Sequence, residues 1–166
     1  MLNRRTCCGT LGLGLLRPAA FAAEPLRNIP TVGASLRLPD VTLINGGEFK
    51  AADAEGRVTV VYWWASWCPF CAQVTPHVQK LWRAQKDRGL TVLGLSIDKD
   101  AATAKAYLDK RGYDFPSGWN NPAVEAVLPK PQGLPVTVVR GRNGRVVWAE
   151  AGQLFPEDVE QLARFL

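Results

Sequence analysis

Histidine and methionine occur once each in this 166-residue chain, and cysteine four times. A structural zinc site takes four ligands, and beyond the N-terminal segment the chain offers only His77, Cys68 and Cys71, so no metal site is expected. Covalent attachment of a c-type haem needs histidine directly after the second cysteine of a Cys-x-x-Cys pair, and position 72 is alanine. No cofactor is assigned. No run of eighteen apolar residues is present to span a bilayer as a helix, and no internal repeat or low-complexity tract is visible. Nor does the composition have the polar excess of a disordered chain. With 47% of residues hydrophobic and 21% charged, it can bury one core in one domain of ordinary size.

The N-terminal segment reads differently from the rest. Arg4 and Arg5 precede a short apolar stretch ending at Leu16, and the small-residue run Ala19-Ala20-Phe21-Ala22-Ala23 follows. A positive n-region, an apolar h-region and an Ala-x-Ala site make a secretory signal. Residues 1–22 are therefore expected to be a signal peptide cleaved after Ala22; the other reading is an uncleaved anchor, for which the apolar stretch is short. Asn3-Arg4-Arg5-Thr6 resembles the start of a twin-arginine signal, although Arg17-Pro18 interrupts the apolar stretch, and the export route stays open. Cys7 and Cys8 leave with this segment. So do Arg4, Arg5 and Arg17, and since no acid is lost the net charge falls from +5 to +2. That excess is too small for a nucleic-acid footprint. The two remaining cysteines would work in an oxidising compartment, where a pair can persist as a disulfide.

Residues 23–34, rich in proline, glycine and small side chains, read as an extended lead-in to a domain over 35–166. Residues 36–44 and 48–50, split by Asn45-Gly46-Gly47, predict a hairpin. Residues 58–64, β-branched and aromatic with almost no alternation, predict a central strand covered on both faces. A helix is expected from about Cys68 to Arg88, stopped by Gly89, then a second buried strand over 90–97. Asp100 caps a helix over 101–111 that ends at Gly112, and Asn121-Pro122 opens a short one. Strands at 136–140 and 145–149 flank Gly141-Arg142-Asn143-Gly144, and a last helix from Pro156 turns Val159, Leu162 and Leu166 inward. The predicted class is α/β: a mixed central sheet flanked by helices, with an extra N-terminal β-hairpin.

Trp67-Cys68-Pro69-Phe70-Cys71 falls where the central strand passes into the first long helix. At a helix N-terminus unpaired N–H groups and the helix dipole stabilise a thiolate, so Cys68 is the expected nucleophile. Two intervening residues place Cys71 within disulfide reach one turn inside, where it can resolve a mixed disulfide. Pro69 suits the first helical position, where a missing N–H costs nothing, and stiffens the loop. Phe70 supplies an apolar rim, and Trp67 shapes the surroundings of the nucleophile or simply packs there. Pro76, inside the helix, leaves the Ala72 carbonyl without its usual partner and is expected to bend the axis.

This motif with Pro76 five residues on resembles the thioredoxin-like proteins. The leader, the extra hairpin, the lead Trp64-Ala65-Ser66-Trp67-Cys68-Pro69 and the run Gly133-Leu134-Pro135-Val136-Thr137 are most similar to the exported TlpA/ResA/CcmG (DsbE) group, over about residues 29–166. The resemblance implies a thioredoxin-like fold and a protein-disulfide oxidoreductase in the periplasm. It further implies a cis Pro135 facing the cysteine pair, with Leu134 presenting its backbone to an extended substrate. Implied partners are proteins carrying disulfides or Cys-x-x-Cys thiols, such as apocytochrome c or copper-site proteins, and a membrane thiol donor of the DsbD or CcdA type. The chain departs from the group at one point. Its members often carry a buried acid that handles the proton of the inner thiol, and the matching positions here are Tyr62 and Val74.

The resemblance favours reduction as the direction, and the Pro-Phe spacer agrees weakly, since it lacks a histidine whose imidazolium could stabilise the thiolate as in strongly oxidising relatives. A dithiol oxidase, or a peptide-binding module with a structural disulfide, are the competing readings. An isomerase is disfavoured for want of a dimerisation domain, and a monomer is expected. His77 is read as a solvated side chain, Tyr62, Trp63 and Trp64 as core, and Asp98-Lys99-Asp100 as a strand end followed by a helix cap.

Overall fold

The computed structural model of the chain describes residues 28–166. The expected signal peptide, with Cys7 and Cys8, lies outside the described residues, as do residues 23–27 of the lead-in.

The first two strands, β1 (Val41–Thr42) and β2 (Glu48–Phe49), pair antiparallel as a small separate sheet. The hairpin expected over 36–50 is therefore much shorter in strand content. Its leading segment divides its backbone among several partners: Leu36 donates to the Gly144 carbonyl, Ile44 donates to Ser117, and Leu43 bridges Gly118. Buried Arg140 fastens the same segment from below, its guanidinium donating to the carbonyls of Leu36 and Ala54 and to the Glu55 carboxylate.

The main sheet has β3 (Val58–Trp64) at its centre, buried along all seven residues as its unbroken apolar run requires. Parallel to it lie β4 (Leu90–Ser96) and, beyond, β5 (Ser117–Trp119). On the other side β6 (Val136–Arg140) runs antiparallel to β3, and β7 (Val146–Ala151) runs antiparallel to β6. The order is β5-β4-β3-β6-β7. The edge strand β5 was not expected from the sequence: three residues with a central glycine carry no period. Gly118 is there for close approach, since a Cβ on it would fall 2.1 Å from Cγ1 of Val41.

Four α-helices cover the sheet: α1 (Pro69–Gln85), α2 (Ala101–Arg111), α3 (Pro122–Val127) and α4 (Pro156–Gln161), the last extended by a 3-10 turn over Leu162–Phe165. Local signals set their ends. Asp100 accepts the Thr103 N–H at 2.7 Å, Gly112 closes α2 in the left-handed region at φ 66°, and Asn121 caps α3 through two backbone N–H groups. Alternation along β3 then feeds two cores. Val60, Tyr62 and Trp64 pack with Val74 and Val78 of α1, Leu108 of α2 and Val159 of α4. Val61 and Trp63 point the other way, to Leu36, Val41 and Phe49 of the N-terminal segment and Val124 of α3. Each such side chain contributes on the order of 1.5–3 kcal/mol by leaving water. The central strand is thus held from both sides, and its C-terminal end becomes a rigid platform.

Candidate active site

The platform ends at Trp64, and Ala65-Ser66-Trp67 carry the chain to Cys68, the N-cap of α1. Cys68 has extended backbone angles, and its Sγ accepts the Cys71 backbone N–H at 3.2 Å. Sulfur here does the work an oxygen does in an ordinary cap, taking one of the helix's unpaired donors. That bond and the helix dipole both favour negative charge on the sulfur. Pro69 occupies the first turn, where the missing N–H leaves nothing unsatisfied. Both cysteines are thiols in the structure; Cys68 is 5% exposed and Cys71 not at all.

The loop before Cys68 is clamped by a residue that sequence reasoning treated as a mere strand end. Asp98, 4% exposed just past β4, accepts the Ser66 backbone N–H at 3.1 and 3.2 Å on its two carboxylate oxygens and the Ser66 hydroxyl at 2.7 Å. The Ser96 hydroxyl donates to it at 2.8 Å, and its carbonyl accepts the Trp119 indole N–H. A buried carboxylate needs such a donor set to stay satisfied. No local pattern betrays it, because the serine it holds lies 32 positions away.

Beneath the pair, two buried hydroxyls gather at the Cys71 backbone carbonyl. Thr75 Oγ1 donates to the Cys71 carbonyl at 2.7 Å, and the Tyr62 hydroxyl lies 2.9 Å from Thr75 Oγ1 and 3.4 Å from the same carbonyl. Burial pushes the Cys71 thiol well above its ordinary range, helped by its hydrogen bond with Cys68, while the Ala65 backbone and, less strongly, the Tyr62 hydroxyl pull it back. Burial likewise raises the Tyr62 phenol well above its ordinary value.

Above the pair opens a groove of about 660 Å³. Trp67, Cys68, Pro69 and Phe70 form one wall, with Ile97 and Leu134 facing them and Glu125 and Lys130 at the margin. Trp67 is 66% and Phe70 50% exposed, so two large apolar side chains stand in solvent beside the sulfur. Leu134 is half-buried, Pro135 is buried, and the peptide bond between them is cis. Of the expected site residues only Pro76 stays apart. The helix rise of 1.5 Å per residue carries it about 7.5 Å beyond Cys71, onto an exposed face of α1 that runs on unbroken to Gln85. His77 is half-buried on α1. Among the described residues no three His, Cys, Asp or Glu side chains converge as a metal site would require.

Chemically, this is an apolar groove with a stabilised sulfur on its floor and a second, shielded sulfur one turn below, an arrangement suited to dithiol-disulfide exchange. The sequence model described as AhpC/TSA family matches residues 34–148. The thiol-disulfide oxidoreductase ResA of Halalkalibacterium halodurans is 24% identical over 127 residues, covering 74% of this chain and 70% of that protein. The fold superposes on a thiol:disulfide interchange protein of the thioredoxin family from Chlorobium tepidum with a TM-score of 0.71 at 20% identity, covering 81% of this chain and 97% of that one. It also superposes on a secreted Mycobacterium tuberculosis disulfide oxidoreductase homologous to DsbE, with a TM-score of 0.66 at 19% identity, covering 76% and 95% of the two chains. The chain belongs to the AhpC/TSA family, has a thioredoxin-like fold, and is similar to thiol-disulfide oxidoreductases of the ResA and DsbE type.

Proposed function

We propose that the protein reduces disulfides in exported proteins, with Cys68 as nucleophile and Cys71 as resolving thiol. One arrangement carries this reading: Cys68 Sγ caps α1 at the floor of an open apolar groove, and Cys71, wholly buried, is one turn behind it. Trp67, Phe70 and Leu134 hold an extended substrate segment across the groove, with Pro135 behind it. Cys68 attacks the substrate disulfide, and a mixed disulfide forms. Cys71 then closes the Cys68-Cys71 bond and releases the substrate thiol. Reduction is favoured because burial holds the Cys71 thiol protonated and the Pro-Phe spacer, with no histidine, brings no cation that would further stabilise a Cys68 thiolate and with it the dithiol form. The N-terminal signal pattern supports work in the periplasm, where the substrates would be apocytochrome c thiols or copper-site cysteines. Electrons would come from a membrane thiol donor of the DsbD or CcdA type.

Cys68→Ser should abolish reductive turnover of a disulfide-bonded protein, whereas Cys71→Ser should accumulate mixed disulfides visible on non-reducing gels. Normal turnover by either variant would show the roles to be wrong. The reduction potential, read by tryptophan fluorescence in thiol buffers, decides direction. A value near or below about −220 mV makes the protein a reductant, while one near −120 to −180 mV makes it an oxidase or isomerase.

A further inference from the structure

The buried thiol of Cys71 must ionise before it can act, and among the described residues no carboxylate or imidazole is placed beside it. The titratable groups facing Cys71 and Tyr62 are Cys68 from the loop and Tyr107 from α2, whose ring lies under the Arg111 guanidinium. Asp98, the nearest carboxylate clamped into this end of the sheet, is spent on Ser66 and Ser96. What does meet Cys71 is the Ala65 backbone and one side-chain hydroxyl, that of Tyr62, which pairs with Thr75; both of these side chains are wholly buried. Thr75 has a single hydroxyl proton, and at 2.7 Å it belongs to the Cys71 carbonyl, which can only accept. In the 2.9 Å hydroxyl-hydroxyl contact the donor is therefore Tyr62. Its proton is parked on Thr75, with the Cys71 carbonyl 3.4 Å away as a second acceptor, while the thiol is protonated.

We propose that Tyr62 is the residue that lets Cys71 ionise inside the core, by turning its hydroxyl from Thr75 to the Cys71 sulfur as the thiolate forms. The turn is a rotation about one C–O bond. Thr75 keeps its own bond to the carbonyl throughout. The phenol is a donor here and never the base, since burial holds it protonated. In the resolving step, Cys71 gives up its proton, its sulfur bonds to Cys68 Sγ, and the bond between Cys68 and the substrate sulfur breaks. The departing substrate sulfur takes the electron pair and a proton. The cysteine pair is oxidised by two electrons, and the substrate is reduced by two.

This inference rests on Cys71 being the resolving thiol, and the experiment separates the two. The mixed disulfide of Cys68 with nitrothiobenzoate is formed, and release of the coloured thiol is followed from pH 6 to 10 in the wild-type chain, Tyr62→Phe and Thr75→Val. A hydrogen bond to a charged sulfur is worth roughly 10- to 100-fold in ionisation. Tyr62→Phe should accordingly slow release by about that factor at pH 7 and move the pH inflection up by about 1–2 units. The initial attack by Cys68, timed separately in the Cys71→Ser background, should keep its rate. Thr75→Val removes the parking acceptor and should move the inflection the other way. An unchanged profile in Tyr62→Phe, equal slowing of both steps, or a shift of the same sign in both variants overturns the proposal. A wild-type chain that releases no thiol at all overturns the exchange function itself.

Discussion

Removing the Asp98 carboxylate tests whether the nucleophile's loop is held by tertiary structure. Asp98→Ala deletes the acceptor for three donors, the Ser66 N–H, the Ser66 hydroxyl and the Ser96 hydroxyl, at 2.7–3.2 Å. A hydrogen bond to a charged acceptor contributes about 1.5–3 kcal/mol, and a buried donor left alone costs a similar amount. Ser66 is half-exposed, so water recovers part of its loss, whereas Ser96 is wholly buried and recovers none. Bonds sharing one acceptor do not add, and the sum is about 3 kcal/mol. For a domain of this size that lowers Tm by roughly 10 °C. Urea unfolding of the reduced protein, read by tryptophan fluorescence, should show a lower midpoint at an unchanged m-value. Asp98→Asn retains one acceptor oxygen and should lose about 1 kcal/mol. A loss below about 1 kcal/mol in Asp98→Ala would refute the clamp. So would a destabilised variant whose Cys68 attacks disulfides at the wild-type rate, because a loosened Ser66 must misplace the sulfur two residues on.

Burial raises the Cys71 thiol, so the folded chain holds that proton more tightly than the unfolded one. The associated stability is complete below the ordinary thiol range near pH 8.5 and is lost as pH rises above it, by up to about 1.4 kcal/mol per unit. The stability gap between reduced wild type and Cys71→Ala, measured by urea unfolding, should therefore narrow from pH 8 to 10; a constant gap contradicts the burial argument. Gly118→Ala drives a methyl into Val41 and should cost about 1–3 kcal/mol in the same assay, while an unaltered midpoint would mean that the β1–β5 contact yields freely. Trp67→Ala removes a mostly exposed ring and should change stability by less than about 0.5 kcal/mol. It should nonetheless raise KM for a protein disulfide while sparing a small one such as oxidised glutathione. Equal effects on both substrates would deny the ring a docking role.

Much of this site could be read from neighbours along the chain. Cys68 at the end of an apolar β-branched run, Pro69 after it and Cys71 three residues on place both sulfurs at a strand-helix junction, because capping and helical periodicity act within one turn. The caps at Asp100, Gly112 and Asn121 are local in the same sense. The strand β5 was not legible, since its three residues are strand only because β4 offers them an edge and Gly118 admits Val41. The Asp98 clamp on Ser66 and the Tyr62-Thr75 pair under Cys71 were hidden for a related reason. Side chains 32 and 13 positions apart meet only once β3, β4 and α1 have packed. What the sequence determined by itself is the chemistry at the surface of the site, two sulfurs on a helix N-terminus beside exposed aromatics. What only the tertiary structure decided is how those sulfurs are held and how the inner one ionises, because burial and long-range hydrogen bonds exist only in the assembled core.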